Sequence, residues 1–237
     1  MRYRPLSASF YRLNRAKFSA EIDIKSLAIF NSNDIYPISA DSTLPFAQHR
    51  DIFYLSGIDQ EESILLIFPD ALEEKHKEIL FVRETNEHIA VWEGAKLTKQ
   101  AATDLSGIKT VYWLKDFKKV FQELSPQCDS FYFNTNEHYR QAVETQTRED
   151  RFIAWCKKQY PAHGVGKSNP ILQKLRAVKY EEEIAQNPNS FPTQAVSSPA
   201  KPSNFSLDTN QAKQSKVDKF DSLFDDKKGD ESDDLPF

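Results

Sequence analysis

The stretch SADSTLPFAQHRDIFYLSG, residues 39–57, decides the fold prediction because it joins a polar, turn-rich segment to a short apolar one. Residues 52–55 are aliphatic and aromatic, which is typical of a strand, and Gly57 has the chemistry of a turn. Six further short runs have a similar β-rich composition: residues 27–30, 63–68, 79–83, 88–92, 110–113 and 130–134.

Helical patterns alternate with these runs. Residues 4–20 place Leu6, Phe10, Leu13 and Phe18 at helical spacing. Other helix candidates cover residues 71–76, 99–105, 116–124, 137–159 and 169–185. Because strand and helix signals alternate along the chain, we predict an α/β domain in which a mixed β-sheet is flanked by helices.

Composition restricts the class of protein further. The 237 residues are 39% hydrophobic and contain no apolar run of about 18 residues, so we expect no membrane span. The N-terminal residues lack the apolar segment of a signal peptide. Cys128 and Cys156 are far apart and do not have the spacing of a metal or redox site. We therefore expect two buried, reduced thiols in a cytoplasmic protein.

Charge is unevenly distributed along the chain. From Gln186 onward there are nine Asp or Glu residues and six Lys, so this part carries -3 of the net charge of -4. It is also rich in Pro, Ser, Gln and Asn, a composition that cannot bury enough apolar surface to fold, and we expect residues 186–237 to be disordered. The remainder has no dense basic face, which argues against direct nucleic-acid binding.

Three blocks of sequence, in order, resemble the N-terminal domain of aminopeptidase P, the Xaa-Pro aminopeptidase. The first is residues 39–57, the second is NEHIAVWEG at residues 86–94, and the third is LRAVKYEEEI at residues 175–184. The resemblance covers residues 1–185 and implies a creatinase-like domain with a ribonuclease H-like motif. It divides the chain into that domain (1–168), the start of a helix leading to a catalytic domain (169–185) and an acidic tail (186–237).

The resemblance implies a metal-dependent peptidase that removes the first residue from peptides with proline second. In that family a following "pita-bread" domain holds two metal ions, usually manganese, through two Asp, one His and two Glu. No such ligand blocks can be placed after residue 185, and the five histidines show no metal-binding spacing. We expect this chain alone to bind no metal cofactor, to contain no catalytic residue and to be inactive.

The resemblance also implies a role at the active site of a neighbouring subunit. By position, Asp41 and Trp92 match residues of the family that approach the substrate rim of a partner subunit, in a homo-oligomer formed partly by this domain. A carboxylate could receive a peptide amino group, and an indole could cover a proline ring. The alternative is that Asp41 caps a turn and Trp92 packs inside the domain.

The end of the chain resembles a different protein, the C-terminal tail of bacterial single-stranded DNA-binding protein. There, an acidic segment and a final Pro-Phe dock on replication and repair proteins through the ring and the α-carboxylate. The docking residues here would be the last five: Asp233, Asp234, Leu235, Pro236 and Phe237. The alternative is an ordinary acidic tail that aids solubility.

Three hypotheses remain open at this stage. The chain is the non-catalytic domain of a Xaa-Pro aminopeptidase, or an interaction module that docks on DNA-maintenance proteins, or an artefactual or engineered fusion. The abrupt change of composition at Ala185-Gln186, inside a predicted helix, favours a seam over an evolved linker. A helix without its usual packing partner is also expected to be poorly anchored.

Overall fold

The computed structural model describes residues 6–40, 42–86, 88, 90–91, 94–135 and 146–185. Within these residues a six-stranded sheet is accompanied by a separate two-stranded hairpin. The sheet contains β1 (Ser26–Asn31), β4 (Ile64–Ile67), β5 (Glu78–Val82), β6 (Thr110–Trp113), β7 (Ser130–Phe133) and β8 (Gly164–Lys167), and the hairpin contains β2 (Pro37–Ser39) and β3 (Ser42–Thr43).

The strand order across the sheet is β6-β5-β4-β1-β7-β8. β1 pairs antiparallel with β4 and parallel with β7, placing Ala28 opposite Ile67 on one side and Tyr132 on the other. β5 pairs antiparallel with β4 and parallel with β6, and β8 pairs parallel with β7. The sheet is therefore mixed, as predicted, and β1 lies near its centre.

Side-chain alternation along β1 divides the core into two halves. Leu27 and Ile29 contribute to one buried cluster, and Ala28 and Phe30 contribute to the other. All four side chains are fully buried. A strand covered on both faces reads as a continuous apolar run, which is why the sequence predicts this strand correctly.

Helices cover both faces and confirm the predicted α/β class. Phe18 and Leu172 pack on the face that contains Phe30, whereas Phe121 and Phe152 pack on the opposite face. The helices are α1 (Ala8–Ser19), α2 (Arg50–Ser56), α3 (Lys99–Ser106), α4 (Phe117–Leu124), α5 (Arg148–Gln159), α6 (Ser168–Ala177) and α7 (Glu181–Ala185). None of the helices in the described ranges has the length and apolar character needed to cross a membrane.

The strand predicted for residues 52–55 is wrong, because these residues belong to α2. The His49 side chain caps the start of α2 by accepting the backbone N–H of Asp51 at 3.3 Å. Gly57 ends the helix at φ 72°, and its N–H donates to the carbonyl of Phe53 at 2.7 Å. Ile52 and Leu55, three positions apart, are both fully buried. So short an apolar run fits either kind of element, and here the two caps select the helix.

Other boundaries also differ from the sequence prediction. The strand predicted for residues 88–92 is wrong where the structure describes it, since His88, Ala90 and Val91 are helical. The helix predicted for residues 71–76 is reduced to a 3-10 turn, Glu74–His76. The long helix predicted for residues 137–159 is confirmed from Arg148 onward, and residues 136–145 lie outside the described part.

The last part of the described chain contains an unpredicted strand and two helices instead of one. β8 is rich in glycine, and a Cβ added at Gly166 would lie 2.5 Å from the ring of Tyr132, so glycine permits this pairing. The helix predicted over residues 169–185 is interrupted at Val178. Leu172 is fully buried in the core. The helix therefore packs on the core through Leu172, and its expected weak anchoring stays a prediction.

The two cysteines behave as predicted within the fold. Cys128 and Cys156 are buried free thiols. Burial raises the pKa of Cys128 to about 12, and burial likewise raises the pKa of Cys156 well above its ordinary value. Neither thiol is therefore ionised near neutral pH, and both act as small apolar side chains in the core.

Candidate functional site

The first sequence block forms an exposed hairpin followed by α2. β2 pairs antiparallel with β3, and the backbone N–H of Leu44 donates to the carbonyl of Tyr36 at 2.9 Å. Ala40 at the turn has φ 49°, in the left-handed region. The side chains of Tyr36, Ile38 and Leu44 are 45%, 59% and 53% exposed. A cluster of exposed apolar side chains on one hairpin is a candidate contact surface for another protein.

A pocket of about 270 Å³ lies between this hairpin and the start of α5. Its wall is formed by aromatic and aliphatic residues of the hairpin and the following loop, and its floor is polar. The floor includes Asn31 at the end of β1, His49 before α2 and Glu149 in the first turn of α5. The apolar residues of the wall are Tyr36, Leu44, Pro45, Phe46 and Ala47.

Glu149 is the most perturbed acid of the pocket. Its side chain is only 9% exposed, and burial raises its pKa to about 7. The amide of Asn31 donates to Oε2 at 2.7 Å, and the backbone N–H of Asn134 donates to Oε1 at 3.1 Å. These hydrogen bonds favour the charged form and oppose part of the desolvation. The carboxyl group is therefore much more readily protonated than an ordinary glutamate.

His49 lies beside this acid and is held neutral. Burial, together with the positive charges of Arg176 and Arg50, lowers its pKa to about 4. Nδ1 accepts the backbone N–H of Asp51 at 3.3 Å and lies 3.0 Å from the amide nitrogen of Asn134. Since both contacts need Nδ1 as an acceptor, the proton of the neutral ring resides on Nε2.

Two charged residues, Asp34 and Arg148, also line the pocket, and Asp34 is joined to Arg151 of α5. The Asp34 carboxylate accepts the backbone N–H of Arg148 at 2.7 Å and the guanidinium of Arg151 at 2.5 Å. Arg148 is 5% exposed, and burial lowers its pKa to about 10, with Glu62 and Asp34 opposing that shift. Arg148 is therefore still charged at neutral pH, and the loop carrying Asp34 is tied to α5.

The structure brings the first and third sequence blocks into contact. Asp51, in the first block, forms an ion pair with Arg176, in the third. Asp51 is buried, 3% exposed, in the first turn of α2. Tyr180, also in the third block, packs edge-on against Phe10 of α1 with ring centroids 6.1 Å apart. These contacts join α6 and the residue just before α7 to the helices α2 and α1.

The residues singled out from the sequence are placed differently. Asp41 and Trp92 lie outside the described residues, although the structure describes the hairpin on both sides of Asp41. The final docking residues, 233–237, also lie outside the described part. The roles assigned to all of them therefore stay predictions.

Sequence reasoning missed the polar floor of the pocket, although one signal was available. Glu149, Phe152 and Cys156 are spaced as one face of a helix, and all three are buried. A carboxylate within an apolar stripe indicates a buried acid with a raised pKa. No comparable local signal marks Asn31 or Asn134, because the sheet brings them to Glu149 from distant parts of the chain.

The described residues do not fit the two-metal centre that the resemblance associates with the family. Among them, the group of His, Cys, Asp or Glu side chains that could share an ion is Glu73, His76 and Glu123. A centre built from two Asp, one His and two Glu needs five such side chains, and its aspartates have no counterpart here. No step of a hydrolytic reaction can be assigned to this part of the chain.

Comparison with known proteins agrees with this picture. A family model described as "Aminopeptidase P, N-terminal domain" matches residues 11–132. Xaa-Pro aminopeptidase 3 of Homo sapiens is 24% identical over 155 residues, which are 65% of this chain and 30% of that protein. Xaa-Pro aminopeptidase of Escherichia coli is 23% identical over 148 residues, 62% of this chain and 33% of that protein.

Solved structures show the same fold. A Bacillus anthracis protein described as an aminopeptidase P has 25% sequence identity and a TM-score of 0.67, covering 76% of this chain and 42% of its own. Aminopeptidase P from Escherichia coli has 20% identity and a TM-score of 0.63, covering 77% and 41%. A zinc-substituted form of the Escherichia coli enzyme in complex with product also matches, with 19% identity, a TM-score of 0.61 and coverage of 77% and 41%.

The length of the matched segments is as informative as the names of the proteins that match. The chain spans about a third of the length of the curated relatives it matches. The matched family region runs from α1 into β7 and includes the hairpin and α2. Because the family model covers just over half of the 237 residues, this chain belongs to the aminopeptidase P N-terminal domain family.

Proposed function

We propose that this chain acts as the non-catalytic N-terminal domain of a Xaa-Pro aminopeptidase and has no peptidase activity by itself. The observation that carries the proposal is the match to the family's N-terminal domain, which extends over only 30% to 33% of two full-length relatives. The lack of fit between the described acidic and histidine residues and a two-metal centre supports it.

A direct assay tests this proposal. The purified 237-residue chain is incubated with Ala-Pro and Leu-Pro peptides in the presence of Mn²⁺, and release of the first residue is measured. Escherichia coli Xaa-Pro aminopeptidase serves as the positive control under the same conditions. We expect no release above the buffer blank. Turnover that is abolished by a chelator would refute the proposal.

The surface that this domain offers to a partner is proposed to be the hairpin. Its apolar side chains are exposed, and by resemblance Asp41 and Trp92 would reach the substrate rim of a neighbouring subunit. Ile38 is 59% exposed within this surface, whereas Leu72 is 86% exposed elsewhere. Exposed apolar clusters of this kind gain stability when another subunit covers them.

Light scattering after size-exclusion chromatography tests the oligomer. We expect the wild type to form a homo-oligomer, Ile38→Ser to shift it towards monomer, and the matched control Leu72→Ser to leave it unchanged. A wild type that is monomeric at every concentration tested would refute the hairpin as a self-association surface. Equal effects of the two substitutions would also refute it.

A second candidate function concerns the acidic end of the chain. We propose that Asp233, Asp234, Leu235, Pro236 and Phe237 dock on DNA replication or repair proteins, on the basis of the acidic run and the final Pro-Phe. Fluorescence anisotropy with a repair exonuclease measures the affinity of the full chain and of a chain lacking residues 235–237. We expect the deletion to abolish binding, with Phe224→Ala as the control that leaves it unchanged. Equal affinity of the deletion variant would refute this function.

A further inference from the structure

A second polar cluster lies away from the hairpin and the pocket. The connection between β4 and β5 contains Glu73 and the short 3-10 turn that ends at His76, and Glu123 lies in the last turn of α4. One ring nitrogen of His76 and one carboxylate oxygen of each glutamate lie within 4.8 Å of one another. Local sequence patterns do not predict this cluster, because Glu123 is far along the chain from Glu73 and His76.

His76 is unusual within this cluster. The residue is 3% exposed, whereas Glu73 and Glu123 are exposed. Its backbone N–H donates to the carbonyl of Glu73 at 2.9 Å, which fixes the turn. Within the described ranges, the ring nitrogens of His76 are not among the fully buried polar atoms that lack a partner. A small ion can therefore reach the ring, which has two carboxylates at ligand distance although the residue as a whole is buried.

Lys75 competes only weakly with a metal ion for the carboxylate of Glu73. The Lys75 ammonium lies 2.8 Å from Oε2 of Glu73, but the two side chains are 55% and 54% exposed. Ion pairs in such exposed positions contribute little because water screens them. A divalent cation carries twice the charge of an ammonium group and can bind all three donors at once. Lys75 would then move into solvent.

We propose that Glu73, His76 and Glu123 form a binding site for one divalent transition-metal ion, with Zn²⁺ as the best match. Imidazole and carboxylate are both zinc ligands, and three protein donors leave a fourth position for water. Tetrahedral zinc with bonds of about 2.1 Å separates its ligand atoms by about 3.4 Å. The donors need to approach each other by little, and the two exposed glutamate side chains have the freedom to do so. The ion would join the β4–β5 connection to α4.

Calorimetric titration of the untagged, chelator-treated full chain with Zn²⁺ alone tests the site. We expect one ion to bind per chain and Glu123→Gln to weaken binding by at least about tenfold. Glu123 is exposed, so this substitution does not threaten the fold. Glu74→Gln is the matched control, since Glu74 lies in the same turn but pairs with Lys77 at 2.7 Å. We expect it to bind Zn²⁺ as the wild type does.

A spectroscopic measurement identifies the histidine without any substitution. The chain contains five histidines, and in ring-nitrogen NMR spectra we expect stoichiometric Zn²⁺ to shift the resonances of His76 alone. No binding to the wild type, an unchanged affinity in Glu123→Gln, or an equal loss in Glu74→Gln would overturn the proposal. Zinc-induced shifts at a histidine other than His76 would overturn it as well.

Discussion

Replacing Glu149 by glutamine tests the electrostatics of the pocket. The carboxyl group is buried and accepts hydrogen bonds from Asn31 and from the backbone of Asn134. Glutamine keeps one acceptor oxygen for the backbone N–H. Its new amide can donate to Oδ1 of Asn31, an oxygen with no partner among the described residues, once the Asn31 amide rotates. Glu149→Gln therefore removes the charge while retaining the hydrogen bonds.

The expected size of the effect follows from proton linkage. The pKa of Glu149 is raised from 4.5 to about 7, so between these values the folded state binds more protons than the unfolded state. Its contribution to stability is therefore greatest at low pH and is lost as the pH rises towards neutrality. At about 1.4 kcal/mol per pH unit, the full loss is about 3 kcal/mol. Glu149→Gln should remove this loss.

Urea denaturation followed by tryptophan fluorescence measures the free energy of unfolding at about pH 5 and about pH 8. His49 has the opposite pH dependence, so the informative quantity is the difference between variant and wild type at each pH. We expect the free energy of unfolding of Glu149→Gln, relative to that of the wild type, to be about 2–3 kcal/mol higher at about pH 8 than at about pH 5. The exposed Asp104→Asn is the control and should show no such change. A difference that does not vary with pH would refute the argument for a raised pKa.

Three further substitutions test other parts of the fold. The pKa of His49 is lowered from 6.5 to about 4, so the stability it contributes is lost as the pH falls through that range. His49→Asn keeps a capping acceptor but does not titrate, so in urea denaturation the free energy of unfolding should fall by up to about 3 kcal/mol less on acidification than in the wild type. Arg176→Met should destabilise the chain by about 2–3 kcal/mol because Asp51 stays buried without its ion-pair partner, and adding Asp51→Asn should recover part of the loss. Gly57→Ala should lower the melting temperature more than Gly94→Ala. Both glycines have positive φ, but only at Gly57 would an added Cβ overlap a tyrosine ring, so equal melting temperatures would contradict the packing.

The sequence was sufficient for elements whose burial is complete on both faces. The strand Ile64–Ile67 is an uninterrupted apolar run because helices cover it from both sides. It was insufficient for α2, where four apolar residues carry too little periodicity and where the N-terminal cap is a histidine rather than the usual Ser, Thr, Asp or Asn. It also failed for β8, whose glycine-rich edge strand is mostly exposed.

The candidate site shows the same limit from a different cause. Glu149 could have been recognised as a buried acid from the helical spacing of its neighbours. Its partners could not, because Asn31 lies at the end of β1 and Asn134 just after β7, two strands that pair although they are far apart in the sequence. Contacts of this type depend on the order of strands in the sheet, which local sequence patterns do not encode.

The resemblance itself has a physical explanation in the residues that carry it. In the first block, Asp51 forms a buried ion pair, and Gly57 ends α2 in a left-handed conformation. In the third block, Arg176 supplies the other half of that ion pair, and Tyr180 packs on α1. These residues hold helices in place. Similarity based on them therefore identifies a shared scaffold, and a shared fold does not by itself establish an activity.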